Sequence, residues 1–168
     1  MKAGADSEAK TISIGALDGE ADAVRCATIM STADPWITLG RGFDKCYALI
    51  NDPTREVCVA KSNGELAGLL ILTMQGAFRG YIQTIAVDEK FRCRGVGTAL
   101  ITFAEQRIFA ESPNVFMCVS SFNERAKALY LRLGYEVIGE LVDYVVRGHS
   151  EWLLRKSVAP MNEFTPRT

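Results

Sequence analysis

The chain has 168 residues, 48% apolar and 23% charged, which is enough apolar material for one packed domain and excludes a mainly disordered chain. Its 19 Lys and Arg against 20 Asp and Glu give a net charge of −1, so no global positive field exists to hold nucleic acid or anionic lipid. The longest apolar run, 66–72, is far below the roughly 20 residues that cross a bilayer.

Residues 1–10 have no apolar stretch of the secretory type and read as a flexible end, 11–158 as one domain, and 159–168 as a flexible tail. Residues 11–15 alternate and predict a short strand. Asp18 is placed to N-cap a helix that runs to about Ser31, and Asp34-Pro35 breaks the chain after it. The segment 43–50 predicts a second helix, stopped before Pro53. Residues 56–61 and 66–74 predict two strands joined at Asn63-Gly64, a pair suited to the two positive φ angles of a type I′ turn. The second of these strands is apolar on both faces and reads as central. Gly76 and Gly80 bracket a turn before a strand over 81–87. Apolar residues at 96, 99, 100, 103, 104 and 108 predict a helix, and 115–119 a buried strand. Ala126, Leu129, Tyr130 and Leu133 mark one face of a further helix, ended by Gly134. Two final strands are expected over 135–146 and 151–158, joined near Gly148. The order β-α-α-β-β-β-α-β-α-β-β predicts an α/β fold: a mixed, mostly antiparallel sheet of about seven strands with helices on both faces.

Five widely spaced cysteines, no Cys-x-x-Cys pair and one histidine argue against a metal site and for free thiols in a reducing compartment. A cytoplasmic location is therefore expected.

The chemistry concentrates in 81–100, YIQTIAVDEKFRCRGVGTAL, where a strand enters a glycine-bearing loop that opens a helix. Gly95 and Gly97 let backbone N–H groups approach a ligand closely, and the helix's amino end favours an anion. Arg92 and Arg94 add cations at the same place. The chain has no Gly-Lys pair for a Walker A loop, and Leu100 stands where a Rossmann fingerprint needs its third glycine.

Arg92-Cys93-Arg94-Gly95-Val96-Gly97 fits the [QR]-x-x-G-x-[GA] signature of the GNAT superfamily of N-acetyltransferases, between the fourth strand and third helix. Asn123 to Tyr130, followed by Leu133-Gly134-Tyr135, resembles the family's N-x-x-A-x-x-L-Y…L-G-[FY] block. Over about 10–156 the chain is similar to this family, and its C-terminal half to the ribosomal-protein alanine acetyltransferases. The resemblance implies the GNAT fold and acetyl-CoA as co-substrate, without a metal. The CoA pyrophosphate would lie on Arg92, Arg94, Gly95, Val96, Gly97 and Thr98. The pantetheine arm would run beside Ile85, Ala86 and Val87, where a backbone N–H polarises the thioester carbonyl, and would meet Asn123. A helix cap by Asn123, or a Ser121/Glu124 capping box, is the alternative for that segment. Tyr130 matches the family's general acid for the departing thiolate; a core tyrosine bonded to backbone is the plainer reading.

Many relatives carry a glutamate base on the fourth or fifth strand. Residues 81–87 contain no acid, and Cys118 stands at the matching fifth-strand position. His149 in the final hairpin is the substitute of suitable pKa, against an exposed turn residue. Asp143 and Glu151 flank the same hairpin, with solvated surface as their default. The missing strand carboxylate suggests an acceptor of low pKa. Being neutral at pH 7 costs an α-amine ~1.4 kcal/mol and a lysine amine ~4.6 kcal/mol. Trp36, in the loop after Pro35, is placed either to stack on an acceptor or to fold onto the core. Phe78 and Arg79 are weaker candidates.

The reading is an acetyl-CoA-dependent N-acetyltransferase in which the amine attacks the thioester directly in a ternary complex. Its acceptor is a small-molecule amine or a protein N-terminus, with neither nucleic acid nor membrane as partner. A non-catalytic acyl-CoA sensor and a nucleotide-phosphate-binding protein are the rivals. Trp152-Leu153-Leu154 suits either a core strand or the edge of a homodimer, since family members often pair through late strands.

Overall fold

The computed structural model describes residues 11–167; the predicted flexible end 1–10 lies outside them. The chain-order elements are β1 (Ile12–Ala16), α1 (Gly19–Ser31), α2 (Phe43–Ile50), β2 (Glu56–Ser62), β3 (Glu65–Thr73), β4 (Tyr81–Val87), α3 (Val96–Phe109), β5 (Asn114–Ser120), α4 (Glu124–Arg132), β6 (Glu136–Leu141) and β7 (Glu151–Ser157). They form one seven-stranded sheet in the order β1-β2-β3-β4-β5-β7-β6. Every neighbouring pair is antiparallel except β4 and β5.

The Asn63-Gly64 turn has φ of 50° and 82°, and Ser62 pairs with Glu65 across it. The central β3 is buried on both faces, because consecutive side chains enter different cores. Leu70 and Leu72 pack under α3 with Leu100, Ala104 and Ile108. Leu69 and Ile71 pack on the other face with Ala27 and Met30 of α1.

The structure departs from the sequence reading in three places. Asp18 occupies the N-cap of α1 but makes no side-chain cap bond. The final hairpin is shorter than expected: β6 ends at Leu141, and 142–150 form a loop with Asp143 and Gly148 at positive φ. Asp143 Oδ1 accepts from the Gly148 amide at 2.6 Å, closing that loop on itself. The expected tail 159–168 is tied back over its described part, where the Arg167 amide donates to the Ala110 carbonyl and Asn114 Nδ2 to Met161 Sδ. Of the two readings of Trp152 to Leu154 the interior strand holds: they belong to β7, which lies between β5 and β6, and the sheet's edges are β1 and β6.

What positions the functional site is a split in the sheet. β4 and β5 pair only through Tyr81 with Phe116 and Ile82 with Met117, and then diverge. Gly80 precedes the split, with φ of 84°, and its carbonyl accepts from Phe116 N–H at 3.0 Å. A Cβ there would stand 2.4 Å from Ile108 Cγ2 and 2.6 Å from the Asn114 carbonyl oxygen. Gly80→Ala is therefore expected to destabilise the fold by about 2–4 kcal/mol, from left-handed strain plus overpacking. Chemical denaturation checks this, and an unchanged midpoint contradicts it.

Candidate active site

Beyond residue 82 one edge of β4 has no strand partner. The Asp88 amide donates to Ala67 on β3, and a Cβ on Gly68 would meet the Ala86 carbonyl oxygen at 2.6 Å. Ala86 therefore directs its backbone groups toward β3. Strand alternation turns those of Ile85 and Val87 the other way, into the gap left by β5. Arg92 Nε donates to the Val87 carbonyl there at 3.4 Å. An extended arm with alternating amide groups fits such an edge as an added strand would.

A cavity of about 580 Å³ follows this edge to the amino end of α3 and is lined by Ile85, Ala86, Val87, Arg92, Gly95, Val96, Gly97 and Thr98 among others. Gly95 caps α3 in the left-handed region at φ 85°, with no side-chain cap bond and no acid in the first turn. The first-turn amides are thus left without a side-chain acceptor or an anion of the chain's own. Arg94, expected at the same phosphate site, does not line the cavity; its guanidinium lies over the Phe91 ring, 5.8 Å from the centroid.

A second cavity, of about 620 Å³, lies across the split and is lined from β4, β5, β7 and the loops after α1 and β6. The two cavities meet at Pro35, Trp36, Ile85, Asn123 and Tyr130, which line both. Trp36 follows its core reading, being only 8% exposed and packed with α1 and α2, and it also walls the junction. Asn123 Oδ1 caps α4 by accepting from the Ala126 amide at 3.3 Å, so what its side chain offers the junction is the amide nitrogen.

Tyr130 packs edge-on to Tyr135, with ring centroids 6.2 Å apart. Burial pushes its phenol up to about 12, so it holds its proton at neutral pH. Among the described residues its hydroxyl bonds to no protein group, contrary to a backbone-tethered core tyrosine.

Of the hairpin residues considered as a base, the one that reaches the cavity is not the one singled out. His149 lines neither cavity; its ring packs edge-on against Phe122 at 5.0 Å. Glu151, expected as solvated surface, is 5% exposed and lines the second cavity. β7 pairs with β5 so that Glu151 stands opposite Ser120, whose Oγ donates to Glu151 Oε1 at 2.6 Å. Burial raises the Glu151 carboxyl above the usual carboxylate range, opposed by the Ser120 hydrogen bond and by the charges of Arg41 and His149. Its second oxygen takes no protein hydrogen bond among the described residues. A strand carboxylate is therefore present, on β7 rather than β4 or β5, and the argument from its absence lapses.

Cys118 lines the same cavity, where burial raises its thiol against the Tyr81 hydroxyl beside it. Phe78 lines it too, whereas Arg79 is paired with Glu111 outside it at 2.8 Å. Asp143 is spent on its loop. No group of three or more His, Cys, Asp or Glu side chains converges among the described residues, and no helix there is long and apolar enough to cross a membrane.

The family model for the acetyltransferase (GNAT) family matches residues 25–135. N-alpha-acetyltransferase RimI of Mycobacterium tuberculosis is 31% identical over 140 residues, 79% of this chain and 84% of the relative. The ribosomal-protein-S18-alanine N-acetyltransferase of Escherichia coli superposes with a TM-score of 0.70 at 19% identity, over 92% of this chain and 100% of that one. An aminoglycoside 6'-N-acetyltransferase complexed with coenzyme A does so at 0.71 and 15% identity, over 88% and 97%. An open β4 edge that runs into a glycine-capped helix, together with these matches, decides against a general nucleotide-binding protein: the chain belongs to the acetyltransferase (GNAT) family and is an N-acetyltransferase that takes its acyl group from acetyl-CoA.

Proposed function

We propose that this enzyme acetylates a primary α-amine by direct attack in a ternary complex, with Glu151 as base and Tyr130 as the proton donor to the leaving group. The observation that carries this reading is the junction. Tyr130, Ile85 and Asn123 line both cavities, while Glu151 lines only the second. An acyl donor laid on β4 ends at that junction, and an amine entering from the second cavity meets it beside Glu151.

The chemistry balances without a covalent intermediate. A C–N bond forms and the C–S bond breaks; the nitrogen loses a proton to Glu151 and the sulfur gains one. The N–H groups that Ile85 and Val87 turn into the gap are the donors available to the thioester oxygen as it takes on charge. Trp36 and Leu153 line the second cavity together with Glu151.

Two arguments support an α-amine. Deprotonating it at pH 7 costs about 3 kcal/mol less than deprotonating a lysine side chain. The Mycobacterium tuberculosis relative carries the name of an N-alpha-acetyltransferase. The test is a pair of short peptides, one with a free α-amine and its lysine blocked, the other the reverse, at saturating acetyl-CoA. Faster turnover of the free α-amine is expected, and faster turnover of the lysine overturns the assignment.

The cofactor loop gives a second expectation. Arg92 lines the CoA cavity and Arg94 does not. Arg92→Ala should weaken CoA binding about 10-fold in calorimetry, and Arg94→Ala less than about twofold, with the difference shrinking in high salt. Equal losses would contradict the placement.

A further inference from the structure

The charged side chains lining the second cavity are Glu151, Arg41 and Arg55. Arg55 is already matched: Nε reaches Asp52 Oδ2 at 3.3 Å, and the guanidinium also donates to Thr73 Oγ1. Asp52 is held below the usual carboxylate range by hydrogen bonds from Thr54 and then by Arg55. That pair is close to neutral and belongs to the wall.

Arg41 differs. Its backbone is fixed, since its amide donates to the Trp36 carbonyl at 2.9 Å and its carbonyl accepts from Cys46 Sγ at 3.4 Å. Its guanidinium makes no ion pair and no hydrogen bond among the described residues. Glu151 shares the cavity, yet its hydrogen bond is to Ser120 and not to Arg41. One cavity therefore presents a carboxylate and a guanidinium that do not bond each other. Unlike charges left apart on a partly apolar wall complement a ligand carrying both signs in the opposite sense.

We infer that the acceptor is an amine that also bears a carboxylate, with the amine delivered to Glu151 and the carboxylate held by Arg41. This rests on the reading of the second cavity as the acceptor site, and it narrows that reading to a substrate class. A polycationic acceptor is disfavoured, because it sets a second cation against Arg41. The carboxylate has two sources: the α-carboxylate of a free amino acid, or an acidic side chain near a peptide's amino end.

Calorimetry on the CoA-saturated enzyme tests this through products, so the outcome does not depend on turnover. N-acetylalanine is compared with N-acetylalaninamide, and N-acetyl-Ala-Glu-amide with N-acetyl-Ala-Gln-amide. In one pair the acid should bind about 10-fold or more tightly than its neutral partner. Arg41→Gln should reduce that ratio below about twofold, while Arg79→Gln, on the surface with Glu111, leaves it in place. Which pair shows the effect identifies the source of the carboxylate. The inference is overturned if neither acid is preferred, if nothing binds, or if the preference survives Arg41→Gln. Turnover of the matching free amines is read separately. Arg41-dependent binding without acetylation would overturn the acetyl-transfer assignment alone, and acetylation indifferent to the carboxylate would overturn this inference alone.

Discussion

Tyr130→Phe is expected to lower kcat by about 10²-fold or more while acetyl-CoA affinity stays nearly unchanged. The ring survives the substitution, so its packing against Tyr135 and its share of the junction wall survive as well. What disappears is one hydroxyl that has no other partner among the described residues. A phenol near 12 holds its proton more tightly than a thiol of ordinary pKa ~8.5. Its contribution therefore begins as a hydrogen bond to the sulfur as charge builds there, and the proton passes as the C–S bond breaks. That interaction exists in the transition state and not in the ground state, so the loss falls on kcat rather than on binding. Stopped-flow or steady-state kinetics beside a CoA titration separates the two. A raised Kd with intact kcat would make Tyr130 a wall residue only.

The second large effect is Glu151→Gln, expected to cost about 10²–10³-fold in kcat/KM. The amide keeps an oxygen for the Ser120 hydroxyl, so the β5–β7 contact is retained while the proton acceptor is lost. The pH profile gives the sharper reading. The base must be ionised, so wild-type kcat/KM falls as pH drops through the Glu151 pKa, which burial places above the ordinary carboxylate value. In the variant this limb should vanish, leaving only the rise from the amine's own deprotonation. Stability should move the opposite way. A carboxyl whose pKa is raised by folding adds stability below its unfolded pKa and loses that contribution as pH rises through the folded pKa. At pH values where Glu151 is ionised it therefore weakens the fold, and there the uncharged amide should hold or raise Tm. A variant that is inactive and also unfolds earlier would point to damage rather than to a lost base.

The fold was legible wherever local rules decide it. Asn63-Gly64 set a hairpin register, and the change from alternating to helical spacing around Gly95 set the strand-to-helix turn at the cofactor loop. The final hairpin was read too long because Val142, Tyr144, Val145 and Val146 resemble a strand. Tyr144 and Val145 line the second cavity instead, and Val142 is 70% exposed. Apolar residues that serve a cavity are not separable from sheet residues by periodicity.

Glu151 was underrated for a non-local reason. Its hydrogen-bond partner is Ser120, 31 residues earlier, which reaches it only once β7 inserts between β5 and β6. One signal was present: Glu151 and Leu153 alternate onto one face of the strand, and both line the cavity. Arg94 is the converse case, a cation close to the loop in sequence whose side chain lies over Phe91.

Direct transfer at the junction is tested most plainly by intact-protein mass spectrometry after incubation with acetyl-CoA and no amine. Two cysteines border the cavities, Cys93 on the donor side and Cys118 on the acceptor side, and burial raises the Cys118 thiol, leaving it little thiolate for attack. The account predicts an unmodified chain and no CoA release until an amine is added. A stoichiometric burst of CoA with an acetyl group left on the protein, passed on when the amine arrives, would contradict it.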